Sequence, residues 1–513
     1  MDSFSTAEYH RLVKEAAPWY RNPGTLRLYL LLLSAMVTSS AWGFDLSMTN
    51  SLQSVDQFMD RFGNPSGAEL GFYGASASVG GMVATILAGP LVDRLGRRAP
   101  LFGGAAVVIG MAIMQTFSPT FQVFTAGKLV LGFGANLQQV AGPMLVMELA
   151  HPKSREAISS LYNTSIYIGL ISGAWITFGT FRMDSAWSWK IPCLLQIALP
   201  TYQLLSIWFC PESPRWLVSR GRLEEARAIL IKYHGNGQET DLVRYELQEI
   251  VAGIESDKTQ IKPNKEGIRT ILGSRGNLHR LWIAMVTAVG SQCAGSSLIS
   301  AYLPQILDQV GFGTSKDKTL INGLVNIVSW IAGVTAALFI PHIRRRMVFL
   351  WSTTGMLITF IIWTILSARY IETSDKGMGI GVVAMIFIYN IIYCTCWLPL
   401  VITYPLETVT TKQRGLFFSW TVFCINGSNF AVAYINPIGL ENISWRYYII
   451  QTIFILIVLI AVYFTFVETT GLTLEEVAVV FDGEPEVRKL EKEIEKEKED
   501  VAGVQVEDVK EKV

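Results

Sequence analysis

Twelve long apolar runs dominate this 513-residue sequence and constrain its fold more than any other feature. A helix needs about 20 apolar residues to cross the hydrocarbon core of a bilayer, and every run is long enough for one crossing. Charged residues make up only 16% of the chain, against about 25% in soluble domains. The sequence therefore predicts an all-α membrane protein, because helices satisfy their own backbone hydrogen bonds in lipid. The twelve predicted transmembrane helices are 28–50, 69–92, 100–118, 122–149, 157–181, 190–210, 279–309, 318–340, 347–369, 377–403, 415–439 and 446–467.

Lysine and arginine fall in alternate loops, and this asymmetry predicts the orientation. Loops that are rich in these residues stay on the cytoplasmic side of a membrane. We therefore expect both termini, and the polar segment between the two sets of six spans, to face the cytoplasm. The loops that carry the charge contain Arg94, Arg97, Arg98, Lys153, Arg155, residues 215–232, Arg344, Arg345, Arg346, Lys412 and Arg414.

The predicted organisation has five segments. A cytoplasmic N-terminal segment, 1–27, is polar and mixed in charge, unlike a cleavable signal peptide. Two six-helix bundles, 28–210 and 279–467, flank a cytoplasmic helical linker, 211–278. The helical spacing of apolar residues within that linker predicts short surface helices. A charged cytoplasmic tail is expected over 468–513.

The two halves of the chain share a spaced pair of charges. Glu148 and Arg155 lie seven residues apart after the fourth span, and Glu407 and Arg414 lie seven residues apart after the tenth. Such an internal repeat of six spans is typical of transporters whose halves move about a central site. An enzyme or a structural membrane protein has no need of this symmetry.

No motif for enzyme chemistry accompanies the spans. The sequence has no nucleotide-binding loop and no nucleophile–base pair, and its six cysteines and five histidines lack metal-ligand spacing. Lysine plus arginine and aspartate plus glutamate both total 42, so nucleic acid is not an expected partner. We therefore expect no cofactor, no metal and no enzymatic activity.

Polar motifs border several of the spans. The loop after the second span reads Gly89-Pro-Leu-Val-Asp-Arg-Leu-Gly-Arg-Arg98, and the segment after the sixth reads Pro211-Glu-Ser-Pro-Arg-Trp216. On these motifs the chain resembles the major facilitator superfamily and, within it, the sugar porter family. Tyr404-Pro-Leu-Glu407 resembles the fungal branch, which includes lactose permease-like and hexose transporters. The resemblance implies the major facilitator fold, in which a sugar passes through a central cavity between two bundles, often with a proton.

Two charged residues inside the spans are candidates for proton coupling. Asp45 lies in the outer half of the first span and Lys128 near the outer end of the fourth, so their depths are compatible with an ion pair. A carboxylate inside a bilayer is costly and suggests a function by default. The resemblance implies an aspartate at the first position and usually an arginine at the second, and a buried lysine, unlike arginine, can itself lose a proton. The alternative is a structural salt bridge between the two helices.

Polar side chains within the spans are candidate sugar ligands. The resemblance implies amides and aromatic rings at most of these positions, but serine replaces several amides, and Trp397 lies five residues before the expected tryptophan. The smaller side chains favour a larger or less hydroxylated substrate, such as a disaccharide, a glycoside or a non-sugar metabolite. For each residue the alternative role is a hydrogen bond between neighbouring helices. The candidates are Asn163, Ser291, Gln292, Ser296, Ser297, Tyr302, Asn326, Ser329, Trp397, Asn426 and Asn429.

Charged residues at the cytoplasmic ends of the spans are candidates for a gate in which arginines pair with carboxylates. In the second half, Pro341 replaces the acid of the corresponding first-half loop, so we expect a weaker gate there and an easier inward-open state. The alternative is that Arg344, Arg345 and Arg346 only enforce the topology. The candidates are Asp93, Arg97, Arg98, Glu148, Arg155, Glu212 and Arg215 in the first half, and Glu407, Arg414 and Glu468 in the second.

The sequence and the resemblance together predict a multi-pass transporter of the plasma membrane. It is expected to move a mono- or disaccharide or a similar small molecule by alternating access, in symport with a proton, and to work as a monomer in the lipid bilayer. The alternatives are a passive sugar uniporter, if Lys128 keeps Asp45 ionised, and a carrier of a non-sugar metabolite. A non-transporting nutrient sensor is less favoured, because the expected tail carries mainly charge.

Overall fold

The computed structural model describes residues 6–15, 19–259, 274–339, 343–409, 414–470 and 481. Throughout these ranges the regular elements are helices. The first half and the linker contain α1 (Thr6–Glu15), α2 (Pro23–Leu52), α3 (Asp56–Arg61), α4 (Gly67–Leu95), α5 (Arg98–Thr116), α6 (Phe121–Leu149), α7 (Arg155–Thr164), α8 (Ile166–Thr180), α9 (Trp187–Leu195), α10 (Ala198–Ser206), α11 (Pro214–Ser219), α12 (Leu223–Tyr233) and α13 (Asp241–Thr259). The second half contains α14 (Arg275–Cys293), α15 (Ser296–Gln309), α16 (Ser315–Phe339), α17 (Arg345–Thr373), α18 (Lys376–Glu407), α19 (Arg414–Ile443) and α20 (Tyr447–Thr465).

The prediction of an all-α membrane protein with twelve crossings is confirmed. Nine crossings in the described residues are single helices, and three are pairs of shorter helices, namely α7–α8, α9–α10 and α14–α15. The last pair is separated by Ala294 and Gly295, and the φ of +103° at Gly295 suits only glycine. The apolar pattern did not reveal these breaks, because hydrophobic residues continue on both sides of each one.

The first membrane helix begins at a capped and anchored end. Asn22 Oδ1 accepts hydrogen bonds from the backbone of Gly24 (3.0 Å) and Thr25 (3.3 Å), and Pro23 takes the first helical position. The same end binds the linker, since the Asn22 amide donates to the His234 carbonyl and the Thr25 hydroxyl to that of Tyr233. Local sequence therefore sets both the start of α2 and its contact with α12.

The linker forms three helices, α11 to α13, that pack on one another and on the ends of the first-half crossings. This agrees with the helical periodicity of the linker sequence. Residues 260–273 of the expected linker lie outside the described residues. The same is true of most of the expected tail, of which only 468–470 and 481 are described.

The two halves touch near the crossing ends that adjoin α3, which we call the far end. Asn50 on α2 donates to Asn322 Oδ1 on α16 over 3.2 Å, and Gln53 donates to the Ala301 carbonyl on α15 over 2.8 Å. Ser66, just before α4, donates to a Glu441 carboxylate oxygen on α19 at 3.2 Å. We call the opposite ends of the crossings, which carry the arginine-rich loops, the basic end.

Close helix contacts within the first half depend on glycine. A Cβ atom added at Gly169 on α8 would lie 1.8 Å from the Ser40 carbonyl oxygen on α2. Small residues allow such close approach in a membrane, where packing rather than the hydrophobic effect holds helices together. The Gly179 position on the same helix has open space around it.

We expect Gly169→Ala to destabilise the protein by about 1–3 kcal/mol, because the added methyl group must push α2 and α8 apart. Gly179→Ala is the matched control and should leave stability unchanged or raise it slightly. Thermal unfolding of the purified protein in detergent measures both effects. Equal unfolding temperatures for the two variants would contradict the close contact at Gly169.

Candidate functional site

Asp45 on α2 and Lys128 on α6 form an ion pair inside the first half. Each residue is 2% exposed, and Lys128 Nζ lies 2.9 Å from Asp45 Oδ1 and 3.1 Å from Oδ2. Gln196, at the junction of α9 and α10, donates to Asp45 Oδ1 over 2.8 Å, and the Thr49 hydroxyl contacts Lys128 Nζ. The structure thus brings together the two coupling candidates. It adds two neutral partners that sequence reasoning missed, because single polar residues in apolar runs gave no distinguishing signal.

Aromatic rings cover this ion pair on the side of the far end. The Tyr73 ring centroid lies 5.5 Å from Lys128 Nζ, within the range of a cation–π interaction. Phe58 of the short helix α3 is fully buried, and its ring centroid lies 5.4 Å from that of Phe124 and 5.8 Å from that of Trp189. We call Tyr73, Phe58, Phe124 and Trp189 the aromatic cap. It surrounds the pair with apolar groups, where electrostatic attraction is stronger than in water.

A second polar group lies between the two halves. Asn429 on α19 donates to Ser78 Oγ on α4 over 2.9 Å. The Ser297 hydroxyl lies 3.2 Å from both Asn429 Oδ1 and Gln292 Oε1, and Gln292 donates to Ser291 Oγ over 3.1 Å. We call these five residues the inter-half network. Four of them were predicted substrate ligands, and Ser78 was not.

Two further predicted ligands lie beside this network. The Ser296 hydroxyl donates to the Ser291 carbonyl, and Asn426 donates to Thr85 Oγ1 on α4 over 3.3 Å. Asn426, Asn429 and Gln292 are half-buried, so their amides combine hydrogen-bonding capacity with some access. Asn426 and Asn429 share a face of α19, as their i, i+3 spacing indicated.

Trp397 and Tyr302 are placed away from any open surface. The Trp397 indole is 0% exposed and lies 5.1 Å, between ring centroids, from Phe349, inside the second half. A Cβ added at Gly290 would lie within 2.7 Å of that indole. In this arrangement the Trp397 ring is thus packed among second-half side chains, and its role as a substrate ligand stays a prediction. Tyr302 is also 0% exposed, and its hydroxyl donates to the Ala433 carbonyl over 2.5 Å, which suits a contact between helices.

The remaining predicted ligands are more scattered. Asn326 donates to the Leu170 carbonyl on α8 over 3.3 Å, so it also joins the halves. Ser329 is 5% exposed and lies beside the Cys394 thiol. Asn163 falls in α7, and its side chain lies outside the described part of the structure.

An arginine–glutamate cluster closes the basic end of the first half. The Arg97 guanidinium pairs with both Glu148 carboxylate oxygens at 2.9 Å. Glu212 accepts from the backbone N–H groups of Arg97 (3.0 Å) and Arg98 (3.2 Å) at the start of α5. The carbonyl of Asp93 accepts from the Trp216 indole over 2.9 Å, while the Asp93 side chain is exposed. Arg155 and Arg215 are exposed as well.

The second half repeats this cluster with Arg345, which was not among the predicted gate residues. Arg345 pairs with the two Glu407 carboxylate oxygens at 3.1 and 3.2 Å, and its backbone N–H donates to Glu468 over 2.9 Å. The flanking arginines match too, because Arg346 donates to the Tyr463 carbonyl as Arg98 does to that of Trp208. The sequence did contain this signal. Aligning the loop after the second span with its second-half counterpart, so that Pro341 replaces the acid, places Arg345 opposite Arg97.

The expected weakening of the second-half gate rested on residues that the structure only partly covers. Pro341 lies outside the described residues, and so does the side chain of Arg414. The arginine–glutamate core is present in both halves, with the Arg345 side chain 14% exposed and that of Arg97 8% exposed. The loss of one acid therefore has not removed the ion pair.

A buried histidine–glutamate pair joins the linker to α6. His234 Nδ1 lies 2.6 Å from Glu246 Oε2 on α13, and His234 Nε2 lies 3.1 Å from the Leu149 carbonyl. Because both neighbours are acceptors, both ring nitrogens must donate, which requires the charged imidazolium. Burial alone would lower the pKa of His234, but the Glu246 carboxylate and the Leu149 carbonyl outweigh it and raise that pKa. Burial and the adjacent His234 lower the pKa of His151 to about 4.

Comparison with known proteins identifies the family. The family model described as sugar (and other) transporter matches residues 31–481. The chain belongs to this family. A high-affinity glucose transporter of Kluyveromyces lactis is 24% identical over 473 residues, which cover 89% of this chain and 85% of that protein. The MFS-type transporter criB of Aspergillus cristatus is 26% identical over 449 residues, covering 87% and 92%.

A solved structure supports the fold in the same way. The inward-open conformation of the xylose transporter XylE from E. coli aligns with a TM-score of 0.73 at 20% identity, covering 88% of this chain and all of that one. The predicted major facilitator fold and sugar porter membership of the transporter are thereby confirmed.

The two arginine–glutamate clusters predict matched mutational effects. Arg97→Ala and Arg345→Ala should each lower the stability of the transporter by about 1–3 kcal/mol, because each leaves a largely buried glutamate without its guanidinium. Arg344→Ala, at a neighbouring exposed arginine, is the control and should have little effect. Thermal unfolding measures all three. If Arg345→Ala resembled Arg344→Ala, the second cluster would indeed be the weaker one.

The His234–Glu246 pair predicts a pH-dependent contribution to stability. A histidine with a raised pKa stabilises the fold fully below its unfolded value of about 6.5, and that contribution is lost as the pH rises through the folded pKa. His234→Gln should therefore cost about 3–5 kcal/mol at mildly acidic pH and progressively less at alkaline pH. His279→Gln is the control, because His279 binds the Thr465 carbonyl over 2.8 Å in the second half. A loss of stability that is the same at every pH would contradict the ion pair.

Proposed function

We propose that this transporter is a proton-coupled sugar symporter that works by alternating access. The observation that carries the proposal is the buried Asp45–Lys128 pair, which lies inside the first half and outside the inter-half network. Membership of the sugar transporter family and the similarity to a glucose transporter support the sugar as substrate. A chain with two such separate polar groups has a place for the proton and a place for the sugar.

Asp45 is the residue that we assign to the proton. A carboxylate that is 2% exposed is stable only while Lys128 neutralises it, and protonation removes the attraction between the two. Gain or loss of one proton therefore changes how firmly α2 is held to α6. This is the kind of local change that biases a two-state transporter.

The inter-half network is the place that we assign to the sugar. Its amides and hydroxyls supply both donors and acceptors, which a polyhydroxylated ring requires. In the present arrangement these groups bond to one another across α4 and α19. A sugar would replace those internal bonds with its own hydroxyl groups, so binding and the contact between the halves are linked.

We infer that the basic end faces the cytoplasm and that the protein resides in the plasma membrane as a monomer. The arginine-rich loops at that end support the orientation. The bonds between the halves at the far end, such as Asn50 to Asn322, support a state that is closed toward the outside. Likeness to an inward-open structure agrees with that state.

Passive sugar transport is the second candidate function. Lys128 and Gln196 together give Asp45 three short hydrogen bonds in its ionised form. The same contacts suit a permanent salt bridge that holds α2 to α6. The pair would then be purely structural, and the sugar would equilibrate without a proton.

Uptake of labelled sugars by a transport-null cell tests these candidates. We expect one sugar from a panel of glucose, xylose, lactose and cellobiose to accumulate at acidic external pH. A protonophore should abolish the accumulation, because the proton gradient drives it. Asp45→Asn should reduce uptake to equilibration, while Asp60→Asn, at an exposed carboxylate of α3, should leave it intact.

Two other outcomes would change the assignment. Equilibration of a sugar that ignores both pH and protonophore, in the wild type and Asp45→Asn alike, would establish the passive uniporter. Failure of every sugar to enter, in a transporter shown to reach the cell surface, would point to a non-sugar metabolite as the cargo.

A further inference from the structure

Gln196 is the second residue that binds the Asp45 carboxylate, after Lys128, and its amide oxygen takes no part in that contact. Its Nε2 donates to Asp45 Oδ1 over 2.8 Å, and the residue is 3% exposed. Its Oε1 is buried and has no hydrogen-bond partner in the described part of the chain. A buried amide oxygen without a partner costs free energy, so an amide at this position needs a reason.

An amide is suited to a neighbour that changes its protonation state. The NH₂ group of glutamine donates and its oxygen accepts, and a half-turn about the last side-chain bond exchanges the two. A carboxylate needs a donor, whereas a protonated carboxyl group needs an acceptor for its O–H. Glutamine can therefore serve either protonation state without moving its backbone.

We propose that Gln196 is a positioning residue that allows Asp45 to be held in both protonation states. In the ionised state the Gln196 NH₂ group donates to the carboxylate, as observed. When Asp45 takes a proton from water, one O–H bond forms and the carboxyl group becomes neutral. The Gln196 amide then turns, and its free Oε1 accepts that O–H. This inference rests on the proposed role of Asp45 in coupling.

Charged and titratable groups around Asp45 come from three further helices. Lys128 on α6 provides the only cation within hydrogen-bond distance of the Asp45 carboxylate among the described residues. Tyr73 on α4 faces the Lys128 ammonium with its ring. Cys193 on α9 is a fully buried thiol one turn from Gln196. Among the neutral side chains of the described structure, it is Gln196 that bonds directly to the Asp45 carboxylate, which assigns that role to its amide.

The chain contains a matched control on the same crossing. Gln203 on α10 is 0% exposed, donates from Nε2 to the Thr38 hydroxyl over 2.8 Å, and also has an Oε1 without a partner in the described structure. It faces α2 as Gln196 does, but about 10 Å further along the helix axis. Its neighbour, a hydroxyl, does not change its protonation state. An effect that comes only from replacing a buried glutamine should therefore appear in the variants of both Gln196 and Gln203.

The first test compares the pH dependence of sugar accumulation in four variants. Gln196→Glu places a second carboxylate beside Asp45, so that the site holds a proton up to higher pH, and the alkaline limb of uptake should move up by about one pH unit or more. Gln196→Leu should slow accumulation about tenfold, because one protonation state loses its partner, while exchange of sugar without net proton movement is retained. Gln203→Glu and Gln203→Leu should leave the pH profile in place.

The second test is infrared titration of the purified transporter, which needs no transport. A carbonyl band of a protonated carboxyl group that is missing in Asp45→Asn reports Asp45 directly. Gln196→Leu should shift the frequency of that band, since its O–H loses its acceptor, and Gln203→Leu should not. In Gln196→Glu the band should appear at higher pH.

The two tests separate this inference from the proposed coupling. An Asp45 band that is unchanged in both Gln196 variants overturns the inference, even when uptake is proton-coupled. Equal shifts of the pH profile in Gln196→Glu and Gln203→Glu also overturn it. Wild-type uptake that is independent of the proton gradient, together with an Asp45 band that still shifts in the Gln196 variants, is a third outcome. That result would contradict the proposed coupling and support the role of Gln196.

Discussion

The hydrocarbon core of a bilayer offers no hydrogen-bond partner, and this constraint shapes the whole protein. It requires helices at every crossing, and it makes an intramembrane polar group that lacks a partner costly. Asp45 finds Lys128 and Gln196, and Asn429 finds Ser78 across the two halves. The positions that we assign to transport are ones where a polar group is kept in spite of that cost.

The fold could be read from the sequence because its determinant is simple. A crossing requires a run of about 20 apolar residues, and no tertiary contact is needed to recognise one. The pairing of Asp45 with Lys128 was anticipated because helix rise made their depths compatible and the resemblance implied charged residues at both positions. The sequence did not reveal how each helix is rotated about its own axis, and therefore which way its side chains point. Trp397 lies at a suitable depth, but its ring points into the second half toward Phe349.

Partners that come from distant parts of the chain were missed for a related reason. Gln196, His234 and Glu246 each look ordinary in sequence, and their importance comes from the one acceptor or donor opposite them. Arg345 was overlooked because its loop has diverged from the first-half motif, although the pairing with Glu407 survives. The Arg345–Glu407 ion pair is kept although the surrounding motif has changed, because an ion pair depends on two side chains and not on the residues between them.

The aromatic cap bears on how much of the proton gradient is lost without sugar uptake. Phe58 and the neighbouring rings lie between the Asp45–Lys128 pair and the far end, which we propose faces the outer medium. If this pair carries the proton, ions outside cannot reach it until α3 and the ends of the crossings rearrange. The rings would then limit uncoupled proton entry. A proton that entered without sugar would dissipate the membrane gradient without driving any uptake. The six-residue helix α3 would in this way set how tightly proton entry is coupled to sugar entry.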